Sequence, residues 1–328
     1  LSVLPGHQLL LQGRGYFAVI YTLYGCLVAL GLILFFTPMF IVFLPKIYTI
    51  IQNYLGILLI AVSTYLLLLE KDKKTASLII FLLAGTLGIA TLNLNIKEPL
   101  LPLLTGLFGA SSLLISITEK TKIPKQGITS LSQITLTKKS FIKGTVASII
   151  AAPFTSFLPG LGASQAAIIG QQALHIEDQR EFLFLIGTIN TLVMGLSFIA
   201  LYTIEKTRTG SAVAVLKLLE GFSPEIITIT LITIILTGII AFMIAVILSK
   251  IIAIMIDRIN YQKLSGIIFA ILIGTTALFT DNTLEGKLLG LLVFVTATIL
   301  GITAIRNGVK RNHLMGCLLI PTILFYIF

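Results

Sequence analysis

Apolar residues in this chain do not alternate with polar ones; they run on. Stretches rich in Leu, Ile, Val and Phe recur from end to end, separated by short polar or charged segments. A helix needs ~20 apolar residues to cross the ~30 Å hydrocarbon core of a bilayer, and most of the runs are near that length. They predict spans at Tyr16–Leu44, Ile47–Leu69, Thr75–Leu92, Pro99–Ile117, Phe182–Thr203, Glu225–Ile256, Leu264–Thr280, Leu284–Ile305 and Leu314–Phe328. Pro38 marks a kink late in the first, and the semi-polar 205–221 stretch reads as an interfacial helix. A β-barrel would need period-two alternation, which is missing. The pattern therefore predicts an all-α polytopic membrane protein of about nine transmembrane helices.

One apolar run departs from the rest. Gly144–Leu174 reads GTVASIIAAPFTSFLPGLGASQAAIIGQQAL, with Pro153, Pro159, Gly160 and Gly162 in its middle. These residues break helices. A freed backbone group in hydrocarbon costs several kcal/mol, so the turn must line a cavity or be covered by protein. Each flanking arm of about fourteen residues spans only ~20 Å. That length suits a re-entrant hairpin, 144–174, with its tip at depth. The other reading is a Pro-kinked spanning helix.

Charge bears on the choice. If the segment turns back, Arg14, the 70–74, 118–143, 250–263 and 306–311 loops and Arg180 share one face, with 17 of the 23 Lys and Arg. Lys46, Lys97, Lys206, Arg208, Lys217 and Lys287 lie on the other. If it crosses, the split falls to 14 against 9. The positive-inside rule favours the hairpin and places the basic 118–143 loop in the cytoplasm.

Composition agrees with a bilayer setting: 56% hydrophobic residues and 11% charged, with a mean hydropathy of +1.05. The net charge of +10 lies in short loops between spans, so it points to membrane lipid and not to nucleic acid. Cys26 and Cys317 both lie in apolar runs, and no disulfide is expected. His7, His175 and His313 stand singly, without metal-ligand spacing, so no metal or cofactor is expected. The chain opens on Leu1, not Met, and a preceding segment is expected.

The candidate binding residues surround the Pro-Gly turn. The second arm starts at the glycines, so its N–H groups and positive dipole end face the membrane interior, which suits an anion. Pro159, Gly160 and Gly162 would shape the turn. Ser164 and Gln165 would add donors just past it, although Ser164 would equally serve as a helix cap. Asn190 and Thr191 sit inside the following span, where an amide must find a partner: the open hairpin backbone, the substrate or a neighbouring helix. Lys206 and Arg208 either attract an anion from outside or anchor the helix end by snorkelling. Asp281 and Asn282, at a membrane edge, read as a solvated turn or a coupling-ion site.

Three stretches together resemble the large permease subunit of tripartite tricarboxylate transporters, in its archaeal branch. They are LPGHQLLLQGRGY (Leu4–Tyr16), FLPGLGASQA (Phe157–Ala166), and INT (Ile189–Thr191) followed by RTGSAVAV (Arg208–Val215). The resemblance implies two repeats, each with a Pro-Gly hairpin. Residues 1–117 would be the remainder of the first repeat, its hairpin missing, and 144–328 the second, joined by the 118–143 loop. It also implies a small membrane subunit and an extracytoplasmic binding protein as partners, and a proton or sodium gradient as the driving force.

Three classes of function are weighed. The leading one is a multi-pass permease of the cell membrane, carrying a small organic anion such as a carboxylate by secondary transport. A membrane enzyme would need converging catalytic groups at depth, and the spans hold no paired carboxylates and no nucleophile beside a base. A non-transporting scaffold or partner subunit would not need a Pro-Gly break at depth.

Overall fold

The computed structural model describes residues 5–70, 73–119, 123–207, 209–219 and 222–328. Leu1, Leu4 and Arg208, named above from the sequence, lie outside the described residues, as do Lys71 and Asp72 of the 70–74 loop and Lys120 and Lys122 of the 118–143 loop. Among those described, the chain is helical, with no β-strand.

In chain order the α-helices are α1 (Pro5–Leu11), α2 (Gly15–Ile51), α3 (Leu55–Leu68), α4 (Lys74–Leu92), α5 (Leu100–Leu104), α6 (Ser111–Thr118), α7 (Lys138–Phe157), α8 (Ala163–Ala173), α9 (Gln179–Ile204), α10 (Gly210–Leu218), α11 (Pro224–Met255), α12 (Tyr261–Phe279), α13 (Leu284–Arg306) and α14 (Gly316–Ile327). Among the described residues, seven continuous helical stretches are long and apolar enough to cross a membrane. One of them, Gly15–Leu68, runs for 54 residues, about 80 Å at ~1.5 Å per residue, enough for two passes. A shorter apolar helix covers Arg311–Ile327. The class is that of an all-α polytopic membrane protein.

One boundary and one winding differ from the sequence expectation. The first and second spans were expected to part at Pro45–Lys46, but α2 continues through both Pro38 and Pro45. The break comes later, as a 3-10 turn at Gln52–Tyr54. Each proline removes one backbone bond, a loss that apolar helices accommodate by local adjustment. The Pro99–Ile117 span is likewise not uniform: Thr105–Ala110, between α5 and α6, is wound as a π-helix.

The molecule divides into two compact units interleaved along the chain. Among the described residues, one comprises 5–55 and Pro124–Asp257; the other comprises Gly56–Ile123 and Arg258–Phe328.

In the first unit the central contact is between α2 and α9. Lipid is as apolar as leucine, so helices in a bilayer associate through close packing of small residues more than through burial. Gly187 of α9 lies directly on the backbone of α2: a Cβ there would sit 2.1 Å from the Thr22 carbonyl oxygen. Further along, Ala29 and Ile33 of α2 pack with Leu192, Leu196 and Ile199 of α9 in one buried cluster. By contrast, most of α11 is exposed, as a helix with a broad lipid-facing side requires; Ile227 and Leu231 near its start join the buried cluster. The stretch Pro5–Tyr16 is tied down at the foot of this unit. Gln179 donates to the Gln8 side chain at 2.8 Å, Gly15 N–H donates to Gln126 Oε1 at 2.7 Å, and Gly127 N–H donates to the Gly13 carbonyl at 2.8 Å.

In the second unit α4, α13 and α14 pack around Ile80, Ala84, Val293, Ala297 and Cys317. A buried polar group closes one end. Glu70 Oε2 lies 3.2 Å from Lys310 Nζ and 3.3 Å from His313 Nε2. Arg311 donates to the carbonyl of Phe108, inside the π-helix, and its guanidinium lies over the Phe108 ring.

Candidate functional site

The break in the 144–174 run is a hairpin. Helix α7 is capped by Thr137, whose hydroxyl accepts the Ser140 N–H at 3.1 Å. It passes through Pro153 without ending, contrary to the expectation that this proline breaks the run; it stops at Leu158, which is extended. Pro159 and Gly160 make the turn, with Gly160 at φ 82°. That left-handed conformation costs a residue with a side chain ~1–2 kcal/mol and glycine almost nothing. Gly162 is again extended, and α8 starts at Ala163.

The two arms lie side by side. Ala147 and Ala151 of α7, Ala166 and Ala167 of α8, and Leu185 and Ile189 of α9 form one buried cluster. The open end is fastened by Lys143, which donates to the His175 carbonyl at 2.7 Å and stands 3.9 Å from Glu181. A kinked spanning helix would carry 143 and 175 to opposite ends, so that reading is excluded. At ~1.5 Å per residue, the 14 steps from Lys143 to Phe157 and the 11 residues of α8 place the tip ~16–21 Å from the Lys143 level, comparable to half a hydrocarbon core or a little more.

At the tip, the start of α8 holds donors without acceptors. Gln165 is completely buried, and its Oε1 accepts the Gly162 N–H at 2.6 Å. This is half of a capping box; glycine has no side chain to return the other half. The amide is thereby fixed, and its Nε2 is buried with no hydrogen-bond partner among the described residues. An unmet buried donor costs ~1–3 kcal/mol. The N–H groups of Ala163 and Ser164 also find no acceptor among the described residues, as is usual for the first turn of a helix. Ser164 is exposed, and Pro159, Gly160 and Gly162 are half-buried. These donors and the positive end of the α8 dipole make a setting for negative charge.

Helix α9 carries the next residues. Ile189 and Val193 pack with Ala163 and Ala166 of α8, so Asn190 and Thr191 lie level with the start of α8. Asn190 is exposed and Thr191 half-buried, and neither side chain makes a hydrogen bond among the described residues. Val193 also joins the cluster that buries Ala212 of α10. The start of α10 meets α9 there as well, with Ser211 Oγ 4.0 Å from Met194 Sδ. The second and third stretches singled out in the sequence, FLPGLGASQA and INT…RTGSAVAV, therefore converge on one face of α9. The first, Pro5–Tyr16, does not join them; it braces the base of the unit.

Thr207 was not nominated from the sequence. Its hydroxyl is buried without a partner among the described residues, just before the α10 start. The run of hydroxyls Thr207, Thr209 and Ser211 ahead of an apolar helix is the signal that could have found it. Lys206 is held at the end of α9 by Tyr48: its ammonium donates to the phenol at 2.6 Å and lies 4.8 Å from the ring centre. Arg208, its expected companion, lies outside the described residues.

Asp281 belongs to the other unit. Its carboxylate accepts the Lys97 N–H at 2.9 Å and both the N–H and hydroxyl of Thr283 at 2.8 and 2.9 Å. The N–H bonds from Thr283 and Lys97 pull its pKa down to about 2. It is the fastening of a helix-capping turn, since Thr283 in turn caps α13. Among the described residues no group of three or more His, Cys, Asp or Glu is placed to hold a metal ion.

Residues 1–316 match the family described as "Tripartite tricarboxylate transporter TctA family". An uncharacterised protein of Methanocaldococcus jannaschii is 27% identical over 336 aligned residues, covering 99% of this chain and 81% of the relative. No solved structure matches. The chain belongs to the tripartite tricarboxylate transporter TctA family and is a multi-pass transporter permease of the cell membrane.

Proposed function

We propose that this permease moves a small organic anion, a carboxylate, and that the anion binds at the start of α8. The observation that carries the reading is the Gln165 amide: fully buried, locked by its oxygen to Gly162, with its nitrogen unmet. A carboxylate oxygen supplies the missing acceptor, and the N–H groups of Ala163 and Ser164 supply further donors to it. Ser164, Asn190 and Thr191 line the approach, with Thr207 as an added candidate, while Pro159, Gly160 and Gly162 hold the turn open. Lys206, on Tyr48, lends positive charge at the helix end and does not touch the anion.

Transport is secondary: a proton or sodium gradient drives the hairpin between states open to either side. The partners are a small membrane subunit and an extracytoplasmic binding protein that delivers the anion.

The test is uptake of labelled carboxylates into proteoliposomes. Gln165→Ala removes the amide and lowers uptake about tenfold or more, as loss of a buried charge-assisted bond of ~1.5–3 kcal/mol requires. Gln165→Glu places a negative charge against the anion and abolishes uptake. Normal uptake by both variants would contradict the site.

A further inference from the structure

The first unit also holds a concavity away from the hairpin tip. It is a groove of about 760 Å³ between α2, the 131–136 segment, the start of α7 and α9. Its walls are mainly apolar: Leu27 and Val28 of α2, Ile142 of α7 and Phe184 of α9 face it. Its polar lining comprises Ser132, Thr135, Lys138 and the Tyr24 phenol. Tyr24 donates to the Leu131 carbonyl at 3.1 Å and holds the connecting segment against α2.

The placement of this groove is that of one membrane leaflet. Tyr24 is nine residues past the α2 start and Phe184 five past the α9 start, ~14 and ~8 Å along their helices. Both starts adjoin basic positions, Arg14 and Arg180, and α7 enters directly from the lysine-rich loop. Half a hydrocarbon core is ~15 Å, so the groove spans the headgroup-to-chain boundary on the basic face. It is open sideways: Phe141 and Ile142 are exposed beside it.

Charge decides the occupant. Lys138 and Lys139 form the first turn of α7, which contains no acid. Neither forms an ion pair among the described residues, and both are exposed. Two cations at the positive end of a helix are unfavourable without an anion beside them. An apolar trough lined by Lys138 and hydroxyls, with Lys139 next along the chain, matches a molecule with an apolar chain and a negative head. We propose that this groove binds an anionic phospholipid of the cytoplasmic leaflet. Lys138 and Lys139 take its phosphate with help from Thr135, and its chain lies along Leu27, Val28 and Ile142. Because one wall is α7, the first arm of the hairpin, the bound lipid would also brace that arm.

Native mass spectrometry of the full chain in a neutral detergent tests this, with phosphatidylglycerol, phosphatidylcholine and inorganic phosphate as probes. The expected result is a one-to-one phosphatidylglycerol adduct that phosphatidylcholine does not replace. Lys138→Gln with Lys139→Gln weakens it roughly thirty-fold, the effect of two lysines beside an anionic headgroup. The double Arg variant retains it. Val28→Phe, which fills the trough and leaves the lysines in place, removes it. Equal binding of both lipids, an undiminished adduct in the Gln or Phe variants, or displacement of the lipid by inorganic phosphate would each overturn the proposal.

Discussion

The ammonium of Lys143 donates to the backbone carbonyl of His175 at 2.7 Å, across 32 residues of sequence. The chain thus leaves one level in α7, turns at Pro159–Gly160, and returns in α8 to the level it left. Glu181, at the start of α9, lies 3.9 Å from the same ammonium and joins the next span to the closure.

This closure sets the sidedness of everything downstream. Single cysteines at the exposed positions Lys139 and Glu177, in a protein with Cys26 and Cys317 replaced, are expected to react with an impermeant maleimide from the same face of the membrane. Labelling from opposite faces would contradict the hairpin.

Gly160 is held at φ 82°. Gly160→Leu is expected to cost ~1–2 kcal/mol in local strain and to move the donors at the α8 start. The variant should insert into the membrane in normal amount and lose carboxylate uptake. Normal uptake would mean that the turn shape does not matter to the site.

Gly187 behaves differently, because it packs and does not turn. A side chain there meets the Thr22 carbonyl and must push α2 from α9. Overpacking of this kind costs typically ~1–3 kcal/mol. Gly187→Leu is expected to lower the thermal midpoint of the purified protein, whereas Gly210→Ala, where nothing lies within reach of a Cβ, should not.

Much of this was legible in the sequence because the bilayer leaves few choices. The helices follow from run length, and the hairpin from prolines and glycines set where a helix should be unbroken. The boundaries that differ are those where a proline reads as a stop. Pro45 and Pro153 stand inside helices, as Pro38 does, since one lost backbone bond does not outweigh the solvation demand on all the others. Interleaved units cannot be read from a linear list of runs, because they depend on which helices lie against each other. The Gln165 amide shows the same limit. Its position beside the turn was visible, but that its oxygen is used internally and its nitrogen is not is a fact of geometry. The Glu70–His313–Lys310 group joins residues more than 200 positions apart, and no local pattern announces it.

Acid titration separates Asp281 from the rest. Its pKa is depressed to about 2, against an ordinary ~3.9 in the unfolded chain. Its contribution to stability is therefore complete above pH ~4 and lost as the pH falls through about 2. Asp281→Asn should remove that part of the acid dependence of the thermal midpoint and leave the profile above pH 5 parallel to the parent; an unchanged acid limb would show that the turn does not depend on the charge.

The central claim is that the start of α8 is where the anion binds. Ser164 is exposed there, one residue before the buried Gln165. The most direct measurement is the reaction rate of Ser164→Cys, in the protein lacking Cys26 and Cys317, with a small charged thiol reagent, with and without carboxylates. The account predicts that the site is reachable from water and that a transported carboxylate slows labelling in a saturable way, while uncharged analogues do not. Labelling that no carboxylate slows, alongside intact carboxylate uptake by the same protein, would place the anion elsewhere.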